Sequence, residues 1–310
     1  MLNTTSLYGN TTLASWSPKT LEIVKMTLFL GTLLCFCSFL YFVSVILKVF
    51  FSTPHVREIA RYVFFVHMLF NDSLHLFVSL FLLMAFLYLI YMPAPFCYFI
   101  LTLATSTFRV TPYNLAAMAL ERYVAICFPL RHVELCTVQK TNVAIALIWV
   151  VGLIPNVADL IVMNLSLKTN FFTLYVICNR EALTFNKLQF TIVTVVYIAS
   201  LALVGLIIIY TYVRVMLVAW KVGLGKSSAF KAAKTILLHG VQLLLYMVSL
   251  VSSFTLTSSS DYSFLTSIVS FLLFMCLPRF LSPFIYGIRD EVFKKRIRNL
   301  CGTGAVGQLP

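Results

Sequence analysis

Four ionisable side chains stand inside long apolar runs of this sequence: Asp72, Arg109, Asp159 and Arg279. A charge at such depth is expensive, so it is paired, faces a cavity, or serves a function. Arg109 follows Cys97 by twelve residues, about 18 Å along a helix at roughly 1.5 Å per residue. Two partners suit it equally: Asp159, or an anionic group on a ligand such as a carboxylate, which a guanidinium binds through two parallel hydrogen bonds. Phe108, Thr111 and Tyr113 flank Arg109, and Tyr197, Tyr246 and Ser249 lie on later apolar runs as further wall candidates. Each of these, taken singly, reads more simply as packing. His67, His75 and His239 also sit in apolar runs, but without the Cys/His/Asp spacing of a metal site, so core hydrogen bonding is the plain reading and neither metal nor cofactor is expected. No glycine-rich phosphate loop, nucleophile motif or paired-carboxylate site is apparent, and an enzyme is not expected.

The elements that position these residues follow from composition. Apolar residues make up 61% of the 310 and charged ones 11%, against roughly half and a quarter in ordinary domains. Lipid is the main solvent of such a chain. Seven apolar runs, near 22–47, 62–90, 97–125, 141–163, 188–215, 233–257 and 264–287, each suffice for a spanning helix of about 20 residues, with no room left for a sizeable soluble domain. The chain opens on some twenty polar residues without an early basic region, so the first helix is expected to act as its own signal.

Basic residues fix the orientation. With the N-terminus outside, the cytoplasmic side holds Lys48, Arg57, Arg61, Arg122, Arg131, Lys140, Arg214, Lys221, Lys226, Lys231, Lys234, Arg289, Lys294, Lys295, Arg296 and Arg298, that is, 16 of the 23 Lys and Arg. Lys19, Lys25, Lys168, Arg180 and Lys187 fall outside, an asymmetry that excludes the inverted arrangement. The excess, 23 basic against 10 acidic residues, thus answers to lipid headgroups and topology rather than to nucleic acid. Glycosylation sequons at Asn3, Asn10 and Asn164 all lie outside, whereas the match at Asn71 falls within the second span. Of eight cysteines only Cys97 and Cys178 are on the oxidising side and can pair. That bond pins the second outer loop over the third helix. The expected layout is an extracellular N-terminus (1–21), a seven-helix bundle (22–288) and a cytoplasmic tail (289–310). In that tail Val292, Phe293, Ile297 and Leu300 form the apolar face of a short amphipathic helix. Cys301 after it is a candidate for palmitoylation.

The end of the third span, MALERYVAICFPLRH at 118–132, carries a family signature. With Lys231-Ala232-Ala233-Lys234-Thr235 through His239, and Ser282-Pro283-Phe284-Ile285-Tyr286-Gly287-Ile288-Arg289-Asp290, it resembles the odorant receptors among the rhodopsin-like G-protein-coupled receptors. The detail is closest to divergent fish-type members. The resemblance implies an all-α bundle in the plasma membrane. It also implies a small-molecule odorant as ligand and a stimulatory heterotrimeric G protein as partner. Glu121 then holds Arg122 at rest, beside Tyr123, and Pro283 and Tyr286 complete the switch. Asp72 sits where the family keeps a sodium-linked Asp, and Arg279, seven residues before Tyr286, faces the same cavity. Either it replaces the ion as a fixed cation or it reaches a backbone carbonyl or water. The sequence departs from the family in lacking an Asn in the first span and the Trp and Pro of the sixth, and in placing Ser282 where an Asn is usual. The segment between the fourth and fifth spans is short, with one Cys. A rhodopsin-like receptor outside olfaction is the alternative, although an amine receptor would want an acid between Cys97 and Tyr113, and none is there. A transporter would call for inverted repeats or interrupted helices, and neither is visible.

Overall fold

The computed structural model describes residues 18–166, 171–184 and 187–222, with stretches at 236–238, 240–245, 247–248, 276–277, 279–280 and 283. Asn3, Asn10, His239, Tyr246, Ser249, Ser282, Tyr286, Cys301 and the segment 289–310 lie outside the described residues. Five long helices carry the fold: α1 (Pro18–Ser52), α3 (Ala60–Leu87), α4 (Ala94–Cys127), α6 (Val138–Ser166) and α7 (Lys187–Val222). Two short helices, α2 (Pro54–Arg57) and α5 (Pro129–Leu135), join them. Each short helix begins on a proline, whose fixed φ suits the first helical turn and whose missing N–H is not needed there.

Among the described residues four segments are long and apolar enough to cross a membrane: Phe29–Ser52, Ala60–Leu87, Val138–Leu165 and Gln189–Val218. Many of their apolar side chains are exposed. On α6, Leu147, Val150, Ile154, Val157 and Ile161 recur at helical spacing, and each is more than half exposed. In water this stripe would aggregate, whereas in lipid it is the solvated face.

Helix α4 is not one of the four, because its threonines, serines and Arg109 dilute its apolarity. It is instead the centre of the bundle, packed against α3, α6 and α7. Seven consecutive residues, Ser106 to Pro112, are all buried, so protein surrounds every face of this stretch. Polar groups are affordable there because neighbouring helices supply their partners. Close approach is set by Gly152 of α6, where an added Cβ would lie 3.2 Å from Val110 Cγ2.

One end of α4 is tied to two connecting segments. Strand β1 (Tyr91–Pro93) pairs antiparallel with β2 (Tyr175–Ile177), Met92 opposite Val176, and the Ala94 N–H donates to the Leu174 carbonyl at 2.8 Å. The Cys97–Cys178 disulfide closes the same corner with Cα atoms 5.4 Å apart. Ala85, Met92, Ala94 and Leu183 pack around it.

Candidate functional site

Three polar centres follow one another along α4. The one nearest the disulfide is built on Arg109, which is 3% exposed. Its Nη1 donates to Asn156 Oδ1 at 3.0 Å and to the Gly152 carbonyl at 3.2 Å, and its Cζ lies 4.4 Å from the centre of the Tyr197 ring. Asp159 is engaged elsewhere. Its carboxylate pairs with Arg180 at 3.5 Å and accepts from Gln189 Nε2 at 2.8 Å. Arg180 sits on the loop just past Cys178 and takes the acid that the sequence offered to Arg109. Asn156 organises this corner: Oδ1 also accepts from Thr105 Oγ1 at 3.0 Å, and Nδ2 donates to Ser106 Oγ at 2.7 Å. A cleft lies above, lined by Tyr98, Thr102, Thr105, Asn156, Asp159 and Arg180. Tyr113, one turn below Arg109, donates its hydroxyl to Ser200 on α7 at 2.8 Å.

The middle centre is built on Asp72, fully buried on α3. Arg279 Nε lies 3.8 Å from Asp72 Oδ1, with both side chains 0% exposed. Thr111 Oγ1 donates to the same Oδ1 at 3.0 Å and accepts from Asn71 Nδ2 at 2.8 Å. Thr111 is thus committed to the acid rather than to the Arg109 corner. Asn71 is 0% exposed and also donates to the Thr107 carbonyl, which places this sequon beyond any glycosylating enzyme.

His75 lies beside this centre. A carbonyl only accepts, so its Nδ1 contacts at 3.1 Å to the Ala104 carbonyl and 2.9 Å to Thr107 Oγ1 place the proton on Nδ1. Its Nε2 then accepts from Ser79 at 3.0 Å. His67 is fixed in the same way, with Trp149 Nε1 donating to its Nε2 at 2.9 Å. Both rings are satisfied hydrogen-bonding groups, and among the described residues no cluster of three His, Cys, Asp or Glu could hold a metal. Phe108 bridges the first two centres: its ring meets Tyr197 at 6.0 Å and lies 5.7 Å from the Arg279 guanidinium.

The third centre is at the far end of α4. Glu121, 7% exposed, has His132 Nε2 3.1 Å from Oε1 and Arg122 Nε 3.8 Å from Oε2. His132 comes from α5. Tyr123 turns aside to rings of Phe128 and Tyr210 at 5.7 and 5.8 Å. Burial, then the neighbouring Glu121 carboxylate, push the Cys136 thiol above its ordinary range. Pro283 is helical and buried. Asn164 lies in the last turn of α6, exposed, one turn nearer the bundle than its placement beyond the span.

Sequence reading missed Asn156, Asn71, Ser200, Arg180 and His132 as members of these centres. An amide inside an apolar run, as at Asn156 next to Pro155, was the available signal.

The chain is similar to several known receptors. Odorant receptor 131-2 of Danio rerio is 31% identical over 211 residues, covering 65% of this chain and 64% of that protein. Olfactory receptor 52A5 of Homo sapiens is 28% identical over 216 residues, 65% of this chain and 66% of that protein, and Olfactory receptor 2M5 of Homo sapiens is 26% identical over 214. The chain thus matches a little under two thirds of the zebrafish relative's length. Residues 43–286 match the family described as 7 transmembrane receptor (rhodopsin family). Polar centres enclosed by outward-facing apolar helices, with that match across most of the chain, make this protein a multi-pass membrane receptor belonging to the rhodopsin family.

Proposed function

We propose that the chain is an odorant receptor of the plasma membrane, with seven spans and an extracellular N-terminus. It binds a small molecule between the helices and activates a stimulatory, olfactory-type heterotrimeric G protein. The carrying observation is the Glu121 centre, a buried carboxylate facing both Arg122 and His132 at the end of α4 remote from the disulfide. A guanidinium is permanently charged, so its position answers to the carboxylate beside it. In the resting state Glu121 holds Arg122, with His132 of the connecting helix α5 as a second clasp. Ligand binding near Arg109, Tyr113 and Tyr197 favours the state in which Arg122 is released to the G protein, by differential affinity for the two states. Asp72 and Arg279 lie between, and the fixed cation takes the place of a sodium ion.

The basic residue asymmetry supports the orientation, since α5, Arg122 and Arg131 share the Glu121 end. In the same orientation Asn3, Asn10 and Asn164 are accessible to glycosylation and Cys301 to palmitoylation. Segment 289–310 lies along anionic lipid, Pro283 and Tyr286 belong to the switch, and Ser282 belongs with Asp72 and Arg279 to the intramembrane ion site. The test is cyclic-AMP production in cells co-expressing an olfactory-type stimulatory G protein and stimulated with an odorant panel. At matched surface level, Arg122→Ala is expected to abolish the ligand response. Signalling preserved in that variant would contradict the proposal.

A further inference from the structure

The Arg109 guanidinium has an uneven set of partners. Its Nη1 is used twice, by the Asn156 side-chain oxygen and the Gly152 carbonyl. Its Nε and Nη2 are buried and have no hydrogen-bond partner among the described residues. Those two atoms share one edge of the planar group, and their N–H bonds run parallel. This edge is the fork that takes both oxygens of one carboxylate. Among the described residues the acceptors that touch Arg109 are neutral, and the nearby acid Asp159 is in direct contact with Arg180 and Gln189 instead. A buried cation without a contacting counter-charge is poorly arranged for stability alone, because burial costs most when the counter-charge is missing.

We infer that Arg109 is the recognition residue for a monocarboxylate ligand, and that Asn156 holds its Nη1 as a neutral acceptor, leaving the positive charge to the acid. This rests on the receptor reading above and names its ligand class. The fork offers two donors and one positive charge, matched by two oxygens and one negative charge. A dianion would leave one charge unbalanced. The described opening nearest the guanidinium is the cleft whose wall includes Asn156 and Thr105 but not Arg109 itself. Asn156 therefore links the cleft to the guanidinium through Nη1. Its contacts to Thr105, Ser106 and Arg109 change together when an acid enters, and Tyr197 on the guanidinium face passes the change to α7.

The experiment uses the full-length receptor with a cyclic-AMP readout and a panel of straight-chain and aromatic monocarboxylates, each beside its primary amide, alcohol and amine. Wild type should respond to at least one acid with potency about tenfold or more above the matched amide, as charge-assisted hydrogen bonding requires. Arg109→Gln should lose that preference. Should Arg109→Gln fail to reach the surface, Asn156→Asp gives a second reading. It sets a carboxylate where Asn156 Oδ1 lies 3.0 Å from Arg109, so the thermal midpoint should rise while acid potency falls about tenfold or more.

Agonists found only among uncharged or cationic compounds overturn the inference. So does an acid response unchanged in Arg109→Gln or in Asn156→Asp, and so does a panel in which no acid acts. Basal cyclic AMP in Glu121→Gln separates this failure from that of the receptor reading: a raised basal level with no acid response defeats the carboxylate assignment alone.

Discussion

The Asp72–Arg279 pair shows what burial does to a charge in this protein. Both side chains are fully buried, so removing either one takes a buried counter-charge from the other. Such a loss costs about 3–5 kcal/mol, whereas removing both leaves no orphan. Asp72→Ala and Arg279→Ala should therefore each destabilise the solubilised receptor strongly, and the double variant by about 1–3 kcal/mol less than their sum. Simple additivity in thermal unfolding would show that the two do not interact. Cys136 carries a second residue-level expectation. Burial and Glu121 raise its thiol pKa, so at neutral pH less of it is thiolate than in an ordinary cysteine. Its alkylation by iodoacetamide should be slow at pH 7.5 and speed up only above the ordinary thiol range, while Glu121→Gln should shift that rise to lower pH. Asp72, Arg109, Glu121 and Arg279 were legible in the sequence because charge is so scarce among apolar residues. Their partners were not. Asn156 is 47 positions from Arg109, and nothing in an amide announces which distant guanidinium it will meet. The Asp159 alternative failed for the same reason, since Arg180 lies in a connecting segment without periodicity to place it.

At the scale of elements, α4 was the most legible by motif and the least by hydropathy. The run expected at 97–125 is a helix at Ala94–Cys127, and it is enclosed where its polar residues cluster. The strands β1 and β2 were illegible because three residues, one of them proline, carry no alternating pattern. They exist because the disulfide and the Ala94–Leu174 hydrogen bond hold two segments together. The contact of α4 with α6 turns on Gly152. A leucine there must displace Val110 Cγ2, which an added Cβ would already approach to 3.2 Å. Gly152→Leu should lower stability by about 1–3 kcal/mol, and because Gly152 also offers its carbonyl to Arg109, it should weaken agonist potency too. An unchanged thermal midpoint would show that the helices are not held this closely.

For the molecule as a whole, 61% of the residues are apolar and 11% charged, and among the described residues many apolar groups are exposed while buried polar ones gather around α4. The sixth and seventh spans, expected from hydropathy, lie mostly outside the described residues, so the enclosure is defined by α1, α3, α4, α6 and α7. Along α4, Arg109 and Glu121 are twelve residues apart, about 18 Å. Tyr197, Phe108 and Arg279 form a chain of ring and cation contacts that joins Arg109 to the Asp72 centre. Reciprocal linkage with the Glu121 end would follow if both bias one equilibrium. The central claim is that Glu121 restrains Arg122 and that Arg122 acts on the G protein. Nucleotide exchange on a purified stimulatory heterotrimer, with the receptor in lipid nanodiscs and no ligand, tests it most directly. Glu121→Gln, which keeps the shape and removes the charge, should raise exchange several-fold over wild type, and Arg122→Ala should reduce it to the rate of empty nanodiscs. Equal exchange by wild type, Glu121→Gln and Arg122→Ala would contradict the account.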